Sequence, residues 1–146
     1  MTGDEMGMDQ KPGSLETFAI PAPIKLSLLW AALMGLYIYN DYFSMYLPGA
    51  IESMSAGIRG PLGEITDAIL IGVSLMLAIP ALMIFLSSAM PPVLSRWINV
   101  ILGLAYTVVQ GLTFFGSEPF YQMVVVFEIV VTLLIVWIAL RWPKVQ

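Results

Sequence analysis

Four long apolar runs alternate with short polar segments along most of this chain. They cover about residues 24–47, 65–89, 95–115 and 120–140, and a membrane-spanning helix needs about 20 apolar residues at 1.5 Å each. The pattern therefore predicts an all-α membrane protein, a bundle of four transmembrane helices that occupies residues 23–146. Residues 1–22 are rich in glycine, proline and acids, a composition that predicts a disordered N-terminal tail.

Prolines and glycines end or interrupt the apolar runs. Pro48 and Gly49 are expected to end the first helix. Pro91-Pro92 is expected to form a tight turn before the third helix. Pro80 lies inside the second run and cannot donate to the carbonyl of Met76, which predicts a kink there. Three apolar residues recur at helical spacing in the first connection: Ile51, Met54 and Ile58. This spacing fits a short amphipathic helix on the membrane surface, or an irregular loop.

The composition excludes several kinds of metal, cofactor and catalytic site. The chain is 59% hydrophobic and 11% charged, whereas a soluble domain is about 25% charged. It has no cysteine and no histidine, which excludes disulfides, zinc sites built on these residues, His-ligated haem and histidine-dependent catalytic triads. We therefore predict no metal and no cofactor. The net charge of −4 leaves no basic patch for nucleic acid.

The basic residues predict an orientation. One side of the predicted bundle carries five of the six: Lys11, Lys25, Arg96, Arg141 and Lys144. The opposite side carries Arg59 alone. This asymmetry predicts that both termini are cytoplasmic. All four tryptophans, Trp30, Trp97, Trp137 and Trp142, fall near the predicted cytoplasmic ends and are expected to form an interfacial belt.

Polar residues inside the apolar runs define a candidate site. Asn40 and Asp41 interrupt the first run and Glu128 the fourth, and ionisable groups inside a membrane span suggest function by default. Counted at about 1.5 Å per residue, several polar positions share one layer in the outer half of the bilayer. The predicted pocket residues are Asp41, Glu128, Gln110, Tyr106, Tyr37, Asn40, Ser74 and Thr132. Two acids in one such pocket would share a proton or bind an external cation.

A structural interpretation competes with this one. Asp41 lies close to the end of its helix and can face interfacial water. Gln110 and Ser74 can serve as polar contacts between helices. In that interpretation the polar residues stabilise packing and bind nothing.

Four blocks carry a resemblance: LSLLWAALMGLYIYNDYFSMYLPG, GPLGEITDAILIGVSLMLAIPALMIFLS, RWINVILGLAYTVVQ and FEIVVTLLIVWIALRWP. They resemble a family of small uncharacterised bacterial four-helix membrane proteins. The resemblance implies a multi-pass protein of the bacterial inner membrane and supplies no function. At the level of architecture the chain is also similar to DoxX-type membrane proteins, some of which are subunits of quinone-linked oxidoreductases.

Three functions follow as hypotheses. The first is binding or transport of a small molecule, cation or proton through the outer polar pocket. The alternative is a non-catalytic accessory subunit of a membrane complex, for example a respiratory one, with a membrane protein or a second copy as its partner. An enzyme that uses the two carboxylates as acid and base ranks last. The strong Lys/Arg asymmetry argues against an antiparallel dimer of the small multidrug exporter type, which needs both insertion orientations.

Overall fold

The computed structural model describes residues 18–58 and 63–143. Its helices are α1 (Ala22–Ser44), α2 (Ala50–Ser55), α3 (Asp67–Ala89), α4 (Pro92–Phe114) and α5 (Pro119–Leu140). All but α2 are 22 or 23 residues long and apolar enough to cross a membrane. This confirms the prediction of an all-helical chain with four apolar spans. The predicted tail lies mostly outside the described residues, and the orientation of the termini stays a prediction.

The helix boundaries differ from the predicted ones mainly at prolines. α4 begins at Pro92 rather than at about residue 95, because proline suits the first helical turn, where its missing N–H has no intrahelical acceptor. α1 likewise has a proline in its first turn and ends at Ser44. Gly49 follows with a φ of +80°, a left-handed conformation that glycine adopts without steric cost. α2 then forms a short helix on which Ile51 and Met54 are exposed, whereas Ile58 lies beyond its end. Its location on the membrane surface stays a prediction.

Neighbouring helices in the bundle follow the order α3, α1, α5, α4. α1 packs along both α3 and α5, α4 packs along α5, and α3 and α4 contact each other much less. α4 and α5 pack tightly at Gly103, where an added Cβ would lie 2.7 Å from Val136 Cγ2 and 3.3 Å from the Thr132 carbonyl oxygen. A glycine is therefore required there for these two helices to pack at this distance.

A buried polar network joins three helices near the α3–α4 turn. Asn99 Oδ1 accepts from Trp30 Nε1 at 2.7 Å and from Ser87 Oγ at 3.1 Å. Asn99 Nδ2 donates to the Ser95 carbonyl at 2.8 Å, and Ser95 Oγ donates to the Ser87 carbonyl at 2.7 Å. All four side chains are fully buried. Because each polar group has a partner, the network can stabilise the packing of α1, α3 and α4 without leaving an unpaired group.

The position of Trp30 corrects one prediction. Trp30 is not an interfacial anchor, since it is 0% exposed and its ring packs edge-on against Tyr106. Its Nε1 finds a buried acceptor in Asn99, which is why the indole can leave the interface. Trp97 and Trp137 are each 52% exposed and lie beside Arg96 and Arg141, respectively.

The bundle has two ends of opposite charge. The described cations, Lys25, Arg96 and Arg141, share the end where α3 meets α4, which we call the basic end. Arg96 donates there to the Leu140 carbonyl at 3.1 Å, a favourable place for a cation at the C-terminus of α5. The described acids outside Glu128 share the opposite, acidic end: Asp41, Glu52, Glu64, Asp67 and Glu118.

α3 continues through Pro80, and another helix compensates for the missing donor. Pro80 leaves the carbonyl of Met76 without its usual intrahelical N–H partner. The Tyr106 hydroxyl, on α4, donates to that carbonyl. Inside a bilayer an unpaired carbonyl cannot form a hydrogen bond to water. The Tyr106 hydroxyl therefore supplies the donor that the Met76 carbonyl lacks within α3.

Candidate functional site

A cavity of about 110 Å³ lies between the four long helices. Three of its lining residues are exposed: Asp41, Met76 and Thr113. Asp41 and Thr113 lie near the ends of α1 and α4, and we call this side of the cavity its mouth. The lining residues are Tyr37, Asn40, Asp41, Val73, Met76, Leu77, Tyr106, Val109, Gln110, Thr113, Tyr121 and Glu128. Every spanning helix contributes to this wall, so the cavity is a product of the whole bundle rather than of one helix pair.

Two buried oxygen atoms set this cavity apart. Asn40, on α1, is 4% exposed, and Glu128, on α5, is 3% exposed, and both side chains line the cavity. Asn40 Oδ1 and Glu128 Oε1 nevertheless have no hydrogen-bond partner among the described residues. Buried acceptors without a donor are rare and unfavourable. Both atoms therefore favour a donor or a cation at this point.

Asp41 places a second carboxylate near the first. It lies at the cavity mouth and is close enough to Glu128 for their charges to repel. The described cations, Lys25, Arg96 and Arg141, all lie at the basic end. Among residues 18–58 and 63–143, no lysine or arginine lines the cavity beside Glu128.

Gln110 organises the polar side of the cavity from α4. Its Nε2 donates to the Tyr37 hydroxyl at 2.7 Å, and its Oε1 lies 3.2 Å from the Thr132 hydroxyl. The Thr107 hydroxyl lies a further 2.8 Å from that of Thr132. Both ends of the Gln110 amide are therefore engaged within the protein. Gln110 links α1, α4 and α5, whereas Asn40 Oδ1 and Glu128 Oε1 have no partner among the described residues.

The wall formed by α3 is chemically different. The residues that α3 contributes to the lining are Val73, Met76 and Leu77, all apolar, and Val109 extends this surface onto α4. The polar lining groups come from α1, α4 and α5. The cavity is consequently two-faced, with carboxylates and an amide on one side and hydrocarbon on the other.

The structure groups six of the eight predicted pocket residues around this one cavity: Tyr37, Asn40, Asp41, Tyr106, Gln110 and Glu128. Thr132 lies behind the wall, where it contacts Gln110. Ser74 is misplaced by the prediction, because it is exposed on the outer surface of α3 and is absent from the lining. That these residues bind a ligand stays a prediction.

The predicted pocket residues did not include Tyr121, Thr113 or the apolar wall. Tyr121 lies on the same face of its helix as Glu128, at a spacing of seven residues, and that spacing was a usable signal. The α3 residues gave none. Nearly every position of α3 is apolar, so periodicity could not show which side faces the cavity.

Metal coordination finds little support here. Within the described ranges no three or more Asp, Glu, His or Cys side chains group closely enough to hold a metal ion. Hard divalent cations take about six to eight oxygen ligands, or keep several waters in an octahedral shell. The pair of carboxylates and one amide oxygen suits a single positive group better than such an ion.

Comparison with known proteins gives a family and no activity. The model of a family of unknown function, DUF6326, matches residues 22–146. The chain belongs to DUF6326. The match covers all of the spanning helices, so the cavity lies wholly within the region that defines membership of DUF6326. No curated protein and no solved structure matches the chain. The likeness to DoxX-type proteins and the bacterial origin stay predictions.

Proposed function

We propose that this DUF6326 protein binds a small, positively charged ligand in the cavity at the acidic end of its membrane bundle. The observation that supports this most directly is the pair of buried, unpartnered oxygens, Asn40 Oδ1 and Glu128 Oε1. A cation there would balance the Glu128 carboxylate and satisfy both acceptors together.

The electrostatics of the bundle favour a cation over an anion or a neutral solute. Five further carboxylates surround the acidic end, and the described cations lie at the other end. A mouth lined by one sign of charge raises the local concentration of the opposite ion. An anion would meet repulsion at the mouth and no donor at Glu128.

The packing favours binding over open passage. Below the cavity the rings of Trp30 and Tyr106 meet edge-on with centroids 5.9 Å apart. The Asn99 network closes the bundle beneath them. Movement of a ligand to the basic end would require that these buried contacts separate. We therefore propose a binding site open to the acidic end, which the predicted orientation places on the outer side of the membrane.

The test uses ligand-dependent stability of the purified protein in lipid nanodiscs. A ligand that binds only the folded state stabilises it by about 2.7 kcal/mol at a hundredfold excess over Kd. Screened solutes would include organic and inorganic cations, neutral alcohols and carboxylates. We expect cations to stabilise the wild type and not the Glu128→Gln variant.

The matched control removes a carboxylate elsewhere at the same end. Glu118→Gln changes the charge by the same amount at an exposed position outside the cavity lining, and it should respond as the wild type does. Stabilisation that is equal in all three proteins would contradict the site. The accessory-subunit alternative predicts instead a stoichiometric protein partner in native membrane extracts and no cation response.

A further inference from the structure

We infer that the ligand of this cavity is a small aliphatic ammonium ion, with its charged nitrogen at Asn40 and Glu128 and its hydrocarbon part against α3. The inference rests on the proposed function and adds the chemical class of the ligand to it.

The polar side requires a hydrogen-bond donor that carries charge. Asn40 Oδ1 on α1 and Glu128 Oε1 on α5 are unpartnered acceptors whose side chains line the same cavity. An alkylammonium group has three N–H donors and no acceptor, like the lysine head group. One such group can donate to both oxygens, and its charge offsets the carboxylate.

The apolar side discriminates against an inorganic ion. Val73, Met76 and Leu77 face the cavity from α3, and none of these side chains can replace the hydration shell of sodium, potassium or magnesium. Dehydrating such an ion against hydrocarbon is unfavourable. A short alkyl chain on the nitrogen instead removes apolar surface of both ligand and protein from water.

The volume limits the length of that chain. A cavity of about 150 Å³ accommodates benzene, which has six heavy atoms. At about 110 Å³ this cavity accommodates about four or five heavy atoms on the same scale. Propylammonium, with three carbons and one nitrogen, fits within this volume, whereas a bulky aromatic cation would extend out through the mouth of the cavity.

Calorimetric titration of the protein in nanodiscs tests the inference. The ligands are methylammonium, propylammonium, 1-propanol, sodium and potassium, at constant ionic strength. Each buried methylene strengthens binding about fourfold, so propylammonium should bind about 16-fold more tightly than methylammonium. We expect no saturable binding of 1-propanol, and a loss of at least about tenfold for propylammonium in Glu128→Gln, the change that removes a charge-assisted hydrogen bond.

A wall variant tests the apolar half separately. Val73→Thr preserves the shape of the side chain and places a hydroxyl on the α3 wall. It should weaken propylammonium binding more than methylammonium binding, and so reduce the ratio of the two affinities severalfold. If Glu128→Gln fails to fold, Val73→Thr still tests the inference.

The outcomes separate the two proposals. Sodium or potassium binding as tight as propylammonium binding, or equal affinities for methylammonium and propylammonium, would overturn the ammonium inference and leave a Glu128-dependent cation site. No saturable binding of any cation would overturn both. Binding of propylammonium that Glu128→Gln leaves unchanged would also refute the placement of the nitrogen.

Discussion

Replacing Tyr106 by phenylalanine removes one hydroxyl and should destabilise the bundle through the backbone of a different helix. The Tyr106 hydroxyl donates to the Met76 carbonyl, which Pro80 leaves without an intrahelical donor. Leaving a buried polar group unpaired costs about 1–3 kcal/mol, and hydrogen bonds measured inside membranes contribute about 0.6 kcal/mol on average and about 1.7 at most. We therefore expect a loss of about 1–2 kcal/mol, or about 5- to 30-fold in the folding equilibrium.

A second substitution makes this prediction specific. In a Pro80→Ala background, residue 80 regains an N–H that can donate to Met76, so the same Tyr106→Phe change should cost less than about 0.5 kcal/mol. Reversible unfolding in mixed detergent micelles, followed by circular dichroism, measures all four proteins of the cycle. Tyr39→Phe is the matched control, because Tyr39 is 65% exposed on α1. If Tyr106→Phe is as stable as this control, or costs the same in both backgrounds, the compensation we describe is absent.

Three further predictions address packing and topology. Gly103→Ala should destabilise the protein by about 1–3 kcal/mol through overpacking, whereas Gly111→Ala, with nothing within 4 Å of its added Cβ, should be neutral or stabilising in the same unfolding assay. Asn99→Ala should destabilise the protein by about 2–4 kcal/mol, because the buried donors of Trp30 and Ser87 would lose their acceptor. A loss below about 1 kcal/mol would contradict a structural role for the network. A cysteine at Ser53 should react with an impermeant thiol reagent on intact cells and one at Ala89 should not, and the reverse pattern would overturn the predicted orientation.

Hydropathy predicted the fold well because a bilayer constrains length and composition together. A run of about 20 apolar residues has few alternatives to a spanning helix, so the four spans follow from the sequence. The helix ends were less predictable where proline is involved. Pro91-Pro92 indicates a turn, yet Pro92 is also well suited to begin α4, and the sequence alone does not distinguish the two roles.

The candidate site was predictable only where polar residues are sparse. Asn40, Asp41, Gln110 and Glu128 stand out against apolar neighbours, and their helical spacing brought them to one cavity. Ser74 failed because α3 is apolar on every side, and a single small hydroxyl does not define a facing.

The sequence did not predict which buried polar groups form hydrogen bonds with each other. The pairing of Trp30 with Asn99, and of Tyr106 with the carbonyl freed by Pro80, depends on how the helices pack. These contacts join residues 69 and 30 positions apart in the chain, a separation at which neither spacing nor composition carries information.

The separation between a bound ammonium nitrogen and the Glu128 carboxyl carbon tests the central claim most directly. Rotational-echo NMR on the protein in nanodiscs, with ¹⁵N-propylammonium and ¹³C-labelled glutamate, reports it, and the Glu128→Gln spectrum identifies the Glu128 signal by difference. A charge-assisted hydrogen bond of about 2.8 Å predicts a nitrogen-to-carbon distance of about 4 Å or less, with clear dephasing of that signal. Saturable propylammonium binding without dephasing at Glu128 would contradict the proposed site.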